Sequence, residues 1–512
     1  MRGRAAPARQ FGAQRPAART PQPAAWTPEH ATRTPQPVAW TLRAAGAGAL
    51  AMTVALALAG CAAKAPPPPA SSLQTPSAWR TAAEAGQGAA VAAQWWQAFG
   101  DPALSALVAA ALEHNGDLRI ARARVAQYRA LVGVAAAGQK PNVIVDTAPT
   151  RARQLAYNGV PYVTNVYQAE FQASYEVDVW GRLAALTDAA TATYQSEQAN
   201  ADAAALSIAA TVASGYLNLR GLDAQLALTE ATLKLREESR DLAKRQFDVG
   251  YSSRLEWLQA QAEYQTTAEQ VPQLKRSIFE QENALSILTG GNPGPVARGL
   301  ELAQLAAPPV PAGLPSELLR RRPDIARAEL NLVAANANLA ATRDQLLPSF
   351  KLTMVGGVQN LKWHDFINAP TALWHLTGAV AAPVFEGDRV QHQTDAVAAQ
   401  RDQSVYAYEN AVRTAFAETD NSLGALARLK EQAVQNDARR ATAAETLRIA
   451  HNRYRNGYAS YLEELDAQRT LYNADVGRLQ LKTRVLVASV DLYRAMGGGW
   501  TAPGHSRAGG NP

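Results

Sequence analysis

The sequence predicts a mainly α chain that carries part of a membrane β-barrel, and three observations predict it. They are a long alternating strand, an internal duplication, and two proline-free runs too long for a globular core. The strand lies in VYQAEFQASYEVDVWGRL, residues 166–183. Across 167–179 every odd position is apolar (Tyr167, Ala169, Phe171, Ala173, Tyr175, Val177, Val179) and every even one polar (Gln168, Glu170, Gln172, Ser174, Glu176, Asp178). A strand places successive side chains on opposite faces, so this one has a dry face and a wet face.

The duplication is visible at QFDVGYSSRLEWLQAQ around Gly250, which returns as RYRNGYASYLEELDAQ around Gly457, 207 positions later. The same offset carries Asp117 to Asp324, Pro141 to Pro348 and Gly290-Gly291 to Gly497-Gly498. The chain therefore divides into an extension and signal (1–60), an N-terminal tail (61–101), a first repeat (102–291), a linker (292–315) containing APPVPAGLP, a second repeat (316–498) and a C-terminal tail (499–512).

Each repeat predicts a helix, two strands and a long helical hairpin. In the first, a helix over 103–137 is stopped by Pro141 and followed by strands over 143–149 and 163–179. In the second, a helix over 316–346, with Ser316 as its N-cap, is stopped by Pro348. Its strands span 350–359, with Phe350, Leu352, Met354 and Val358 on one face, and 373–384, with Trp374, Leu376, Val380 and Val384. Aromatics gather at the strands and their loops (Tyr157, Tyr162, Trp180, Trp363, Phe366, Trp374), where membrane strands and the strand ends of soluble sheets both place them.

No proline interrupts residues 162–271 or 384–502. A helix over 181–249 would run about 100 Å at 1.5 Å per residue, and Pro272 should kink the helix that returns. Leu465, Tyr472, Leu479, Leu486 and Tyr493 repeat every seven residues, as do Leu228, Leu235, Leu242 and Val249; Leu226, Leu233 and Phe247 form a line two positions earlier. Residues two apart on a helix differ by about 200°, so this helix is apolar on two flanks, as the wall of a tube or the inside of a bundle requires.

Charge argues against a nucleic-acid partner. The net +6 resides in residues 1–60, where seven arginines face one acid, Glu29; the rest of the chain has 43 basic and 43 acidic residues. That opening stretch contains the apolar run AAGAGALAMTVALALAG behind Arg43, the pattern of a secretory signal. It also repeats RTPQPAAWT as RTPQPVAWT, a Pro/Ala/Arg tract that predicts disorder, and we expect translation to begin near Val38 or Leu42 rather than at Met1. Leu58-Ala59-Gly60-Cys61 resembles a lipobox, which would make the only cysteine a lipidated first residue of the mature chain; no disulfide can form within the chain. The seven histidines lack HExxH-like spacing, and no GxSxG or phosphate loop is present, so the sequence offers neither enzyme, metal site nor cofactor site.

Four strands cannot close a barrel, which needs about eight or more, and lipid tolerates no unpaired strand edge. Three chains would supply twelve. At WWQAFGDP (95–102), YEVDVWGR (175–182), GLPSELLRRRPDI (313–325) and MGGGW (496–500) the chain resembles outer-membrane factors of the TolC superfamily, in the lipoprotein branch typified by OprM, the NodT-type efflux subunits. The resemblance covers residues 61–500. It implies a homotrimer with a twelve-stranded outer-membrane barrel and a long periplasmic α-helical barrel, docked to a periplasmic membrane-fusion adaptor and an inner-membrane RND-type pump, and exporting drugs or other small toxic compounds. It puts residues 61–101 in the periplasm and the Cys61 lipid in the outer membrane.

The turns GYSSRL and GYASYL read as helical hairpins, glycine ending one helix and serine opening the next. The resemblance adds that Gly250, Ser253, Arg254, Leu255, Gly457, Ser460 and Leu462 face the adaptor, and that carboxylates constrict the tube nearby, with Asp248 and His451 as possible gate residues; ordinary exposed polar positions are the alternative. Arg320-Arg321-Arg322 reads as a structural or solvated cluster. A duct for type I protein secretion and a non-conducting trimeric coiled-coil scaffold remain the competing functions.

Overall fold

The computed structural model describes residues 67–70, 72–81, 91–310 and 315–501; the extension, the signal, Cys61 and the start sites near Val38 and Leu42 lie outside the described residues. The chain divides after Gly60, and all described residues fall in the second unit. Its elements are α1 (Pro102–His114), α2 (Gly116–Ala137), β1 (Asn142–Thr147), β2 (Thr150–Leu155), β3 (Pro161–Val177), α3 (Arg182–Asp248), α4 (Arg254–Leu288), α5 (Pro315–Arg321), α6 (Pro323–Arg343), β4 (Ser349–Asn360), α7 (Trp363–Asn368), β5 (Thr371–Ala381), α8 (Arg389–Arg455) and α9 (Tyr461–Ala495).

The duplication is copied into the geometry. Helices α3 and α8 both have 67 residues, α4 and α9 both have 35, and all four boundaries differ by 207. At about 1.5 Å per residue the long pair spans about 100 Å.

Each repeat's first helix, expected to be continuous, is broken at the same place. Arg322 sits at φ −113°, ψ 124°, because a residue before proline is pushed out of the helical region and Pro323 then starts α6. Its equivalent Asn115 breaks the first copy by capping α2, accepting from Leu118 N–H at 3.1 Å and donating to the Leu288 carbonyl at 2.8 Å. Helix α5 opens at Pro315, so Ser316 stands in its first turn instead of capping it.

The repeated glycines explain themselves here. A Cβ on Gly290 would fall 2.4 Å from the His114 carbonyl oxygen, and one on Gly497 1.8 Å from that of Arg321, the last residue before each break. Both glycines have positive φ, 75° and 88°. The end of each hairpin thus presses onto the end of each first helix, backbone against backbone.

Helix α4 continues through Pro272. The linker is packed rather than loose: Val296, Leu302 and Leu305 join the main core with Trp95, Phe99, Leu104, Tyr216, Leu217, Leu285, Leu486 and Val490. A second core surrounds Leu318, Leu423, Leu426, Leu492 and Met496. Arg322 supports the structural reading of the arginine triplet. It is buried and bonds Asp324, Glu418 and the Ala495 carbonyl, tying α6 to α8 and α9.

The strands form one antiparallel sheet in the order β1-β3-β4-β5, with β2 also on β3. The strands depart from the expectation most at their C-terminal ends. Strand β3 stops at Val177 because the Asp178 carboxylate turns back to cap α3, accepting from Leu183 and Ala184 N–H at 3.1 and 2.8 Å. Strand β5 stops at Ala381, two residues before Pro383, so Val384 lies beyond it. The first strand, expected to end at Pro149, resumes as β2. Thr147 faces Ala169 and Thr150 faces Val166, so the register carries across Ala148-Pro149 without a bulge.

Candidate functional site

Register sorts the sheet into two surfaces. One carries the rungs Val145–Phe171–Gly356–Trp374, Val143–Ala173–Met354–Leu376, Tyr175–Leu352–Gly378 and Val177–Phe350–Val380. The other carries Asn142–Ser174–Thr353–Thr377, Ile144–Gln172–Val355–His375, Asp146–Glu170–Gly357–Leu373, Glu176–Lys351–Ala379 and Gln168–Gln359–Thr371, polar at most positions. The alternation seen in one strand therefore extends across the sheet, as a one-residue slip would have prevented. Among the described residues nothing covers the apolar surface: Val145 is 80% exposed, Trp374 75% and Val380 67%.

Aromatic clusters bracket that surface. At the end away from the long helices Tyr167 meets Trp363 at 5.4 Å and Phe366 at 6.4 Å. At the helix end Trp180 meets Phe350 at 6.5 Å and donates to the Pro348 carbonyl at 2.7 Å. The rungs between Tyr167 and Val177 cover about 34 Å of strand, or about 26 Å of height at a tilt near 40°, the height of a bilayer's apolar band between aromatic girdles. Among the described residues no helix is long and apolar enough to cross a membrane.

At the opposite end are the two hairpin tips. Gly250, at φ 77°, lets its N–H reach the Phe247 carbonyl (2.9 Å) and Tyr251 N–H that of Gln246 (2.8 Å), a left-handed helix stop that Gly457 repeats with Tyr454 and Arg453. Ser253 Oγ accepts from Glu256 N–H at 3.3 Å, whereas Ser460 opens α9 with its backbone alone. Gly250, Ser253, Arg254, Gly457 and Ser460 are all exposed, and the tips present bare apolar side chains in Tyr251, Leu255, Tyr458 and Leu462.

The two gate candidates lie apart in role. Asp248 pairs with Lys244 at 2.9 Å, both half exposed. His451, the positional equivalent of Lys244, instead places Nδ1 2.8 Å from Glu464 Oε1. Glu464 in turn occupies the position of Trp257, over which Lys244 sits at 5.4 Å. One contact between hairpin helices is thus made twice, as Lys on Trp and as His on Glu.

Sequence reasoning missed what joins the hairpins. Glu263 on α4 is buried between Arg236 on α3 and Arg469 on α9, accepting from Arg469 Nε at 2.7 Å and pairing with the Arg236 guanidinium. Tyr472 Oη donates to Gln270 Oε1 at 2.7 Å, and Tyr454 Oη to Gln246 Oε1 at 3.3 Å. Burial, with neighbouring carboxylates, pushes the Tyr454 and Tyr461 hydroxyls up to about 12, so both stay protonated. The signal was present: Glu263 stands three residues from Ala260 and four from Thr267, a charge inside a buried stripe.

A bilayer-high, two-faced sheet on helical hairpins of about 100 Å defines the subunit of a membrane channel with a long helical extension. The particular family follows from comparison: residues 107–291 and 314–498 match the model of the outer membrane efflux proteins, the same 207-residue offset, and the chain belongs to that family. It is 35% identical over 412 residues to the toluene efflux pump outer membrane protein TtgC of Pseudomonas putida, covering 79% of this chain and 85% of that one. To the pyoverdine export outer membrane protein OpmQ of the same species it is 30% identical, covering 86% and 95%. The open-state MtrE outer membrane channel of Neisseria gonorrhoeae superposes with a TM-score of 0.76 at 29% identity, covering 86% and 99%. The chain is an outer-membrane component of an efflux system and not an enzyme.

Proposed function

We propose that three copies assemble into a passive exit duct for small toxic compounds, with twelve strands closing in the outer membrane and the hairpins forming a periplasmic tube. The observation that carries this reading is the open sheet. Strands β1 and β5 are its two edges, and lipid leaves no unpaired edge, so closure requires further copies. The relatives named for toluene efflux support a substrate class of small apolar toxicants. The exposed apolar tips suit an adaptor, through Gly250, Ser253, Arg254, Leu255, Gly457, Ser460 and Leu462, with an RND-type pump beneath, and Asp248 and His451 are the gate candidates.

Lipidation at Cys61 fits the reach of the chain. From Pro67 the described residues follow α8: the Pro67 carbonyl accepts from Arg401, Ser72 N–H donates to Glu409, and Arg80 N–H to Asp420. Arg401 lies about 18 Å along α8 from its membrane end, and the six residues back to Cys61 can span about 20 Å. Mass spectrometry of the mature N-terminal peptide should find acyl chains on Cys61; an unmodified thiol there would remove this part.

The test of function is toxicant tolerance in a host lacking its own duct but supplied with the adaptor and pump. Restored tolerance, with cross-links from a cysteine placed at Ser253 or Ser460 to the adaptor, is expected. Export of a protein substrate alone would favour type I secretion, and neither activity would favour a scaffold.

A further inference from the structure

Beyond the aromatic cluster at Tyr167, the sheet continues as the β2–β3 hairpin alone. Because register is unbroken across Pro149, the odd positions of β2 stay on the apolar surface, and these are Arg151, Arg153 and Leu155, facing Asn165, Val163 and Pro161. Two arginines thus project from the lipid-facing side. Both are exposed, and among the described residues neither is paired with a carboxylate. The whole loop end of the sheet, residues 148–166 and 360–370, contains Arg151, Arg153 and Lys362 against one acid, Asp365.

Height places them. Each two-residue step adds about 7 Å along a strand, or about 5 Å of height at the tilt used above. Arg151 therefore stands about 5 Å and Arg153 about 10 Å beyond Tyr167, in the headgroup layer that borders the hydrocarbon core. Guanidinium forks match phosphate oxygens in two-point geometry, and cations at this depth attract anionic headgroups. We propose that Arg151 and Arg153 form a binding site for a phosphorylated lipid headgroup in the leaflet remote from the long helices. The proposal rests on the sheet being inserted as described under Proposed function. The headgroup source is a phosphorylated glycolipid of the lipid A type or a phosphatidylglycerol-type phospholipid, which share the chemistry.

The full-length protein, reconstituted in nanodiscs, would be titrated with lipid A, phosphatidylglycerol and phosphatidylcholine and read by native mass spectrometry. R151Q/R153Q should weaken binding of the phosphorylated lipid about 30-fold, about five-fold per arginine, whereas R151K/R153K, which keeps the charge without the fork, should weaken it less. Stronger binding of lipid A than of phosphatidylglycerol supports the site with a glycolipid occupant, and equal binding supports it with either. Affinity unchanged in R151Q/R153Q, or phosphatidylcholine bound as tightly as the anionic lipids, overturns it. If the double variant fails to assemble, the single variants give the same reading at about five-fold each. Channel conductance is recorded in planar bilayers from the same protein preparations, so a protein that binds lipid but never conducts counts against the duct and leaves the lipid site standing.

Discussion

Replacing Glu263 by glutamine should loosen the contact that holds α3 to α4 within the first hairpin, and with it the weaker arm to α9, without disturbing the turn at Gly250. The carboxylate is 7% exposed and its partner Arg236 8%, so the substitution leaves a buried guanidinium uncompensated, with one Arg236 donor still held by the Glu263 carbonyl at 3.3 Å. Removing one partner of such a buried pair costs about 3–5 kcal/mol. The Arg469 arm is half exposed and adds at most about 1 kcal/mol. Local opening should thus become easier by about 100-fold or more. Hydrogen exchange on the full-length protein reads this directly, in peptides spanning 236–263 and 461–472. The double variant E263Q/R236Q should recover much of the loss, since it removes the stranded charge. Exchange within three-fold of wild type in E263Q would refute the reasoning, because it would mean that packing alone holds α3 to α4.

Two further outcomes follow from the same geometry. Burial would raise the Asp324 carboxyl, but the Arg322 guanidinium overrides it and holds the group below the ordinary carboxylate range. A depressed folded value contributes stability that is present above pH about 4 and lost as pH falls through the folded value, so thermal melting should drop on acidification in wild type and much less in D324N. Gly497→Ala should be far worse than Gly250→Ala, although both residues have positive φ. Nothing lies within 4 Å of a Cβ at Gly250, which leaves a backbone penalty of about 1–2 kcal/mol, whereas at Gly497 the Arg321 carbonyl blocks it. Equal melting temperatures for the two variants would contradict the close approach described above.

Much of this architecture was legible in the sequence, and what was not has physical causes. Period-two alternation and the 207-residue repeat survive because each is enforced over many residues by burial or by gene duplication. Strand and helix ends failed where one side chain decided them, as Asp178 does by capping α3 and Pro323 by pushing Arg322 out of the helical region. The heptad seam of Leu465, Leu486 and Tyr493 is buried, but Leu235, Leu242 and Val249 are exposed on the single chain, as a flank meeting another copy would be. The tips were readable from Gly and Ser alone. The Glu263 cluster joins residues up to 233 positions apart, and the bond between Arg236 and Arg469 through one carboxylate has no spacing that a local pattern could reveal.

The central claim is that copies of this chain close a conducting tube through the open edges β1 and β5. Its most direct test is single-channel conductance of the purified protein in planar bilayers, with oligomeric mass determined on the same preparation. The account predicts three copies per particle and discrete conductance steps. A monomer, or a trimer that never conducts, would contradict it.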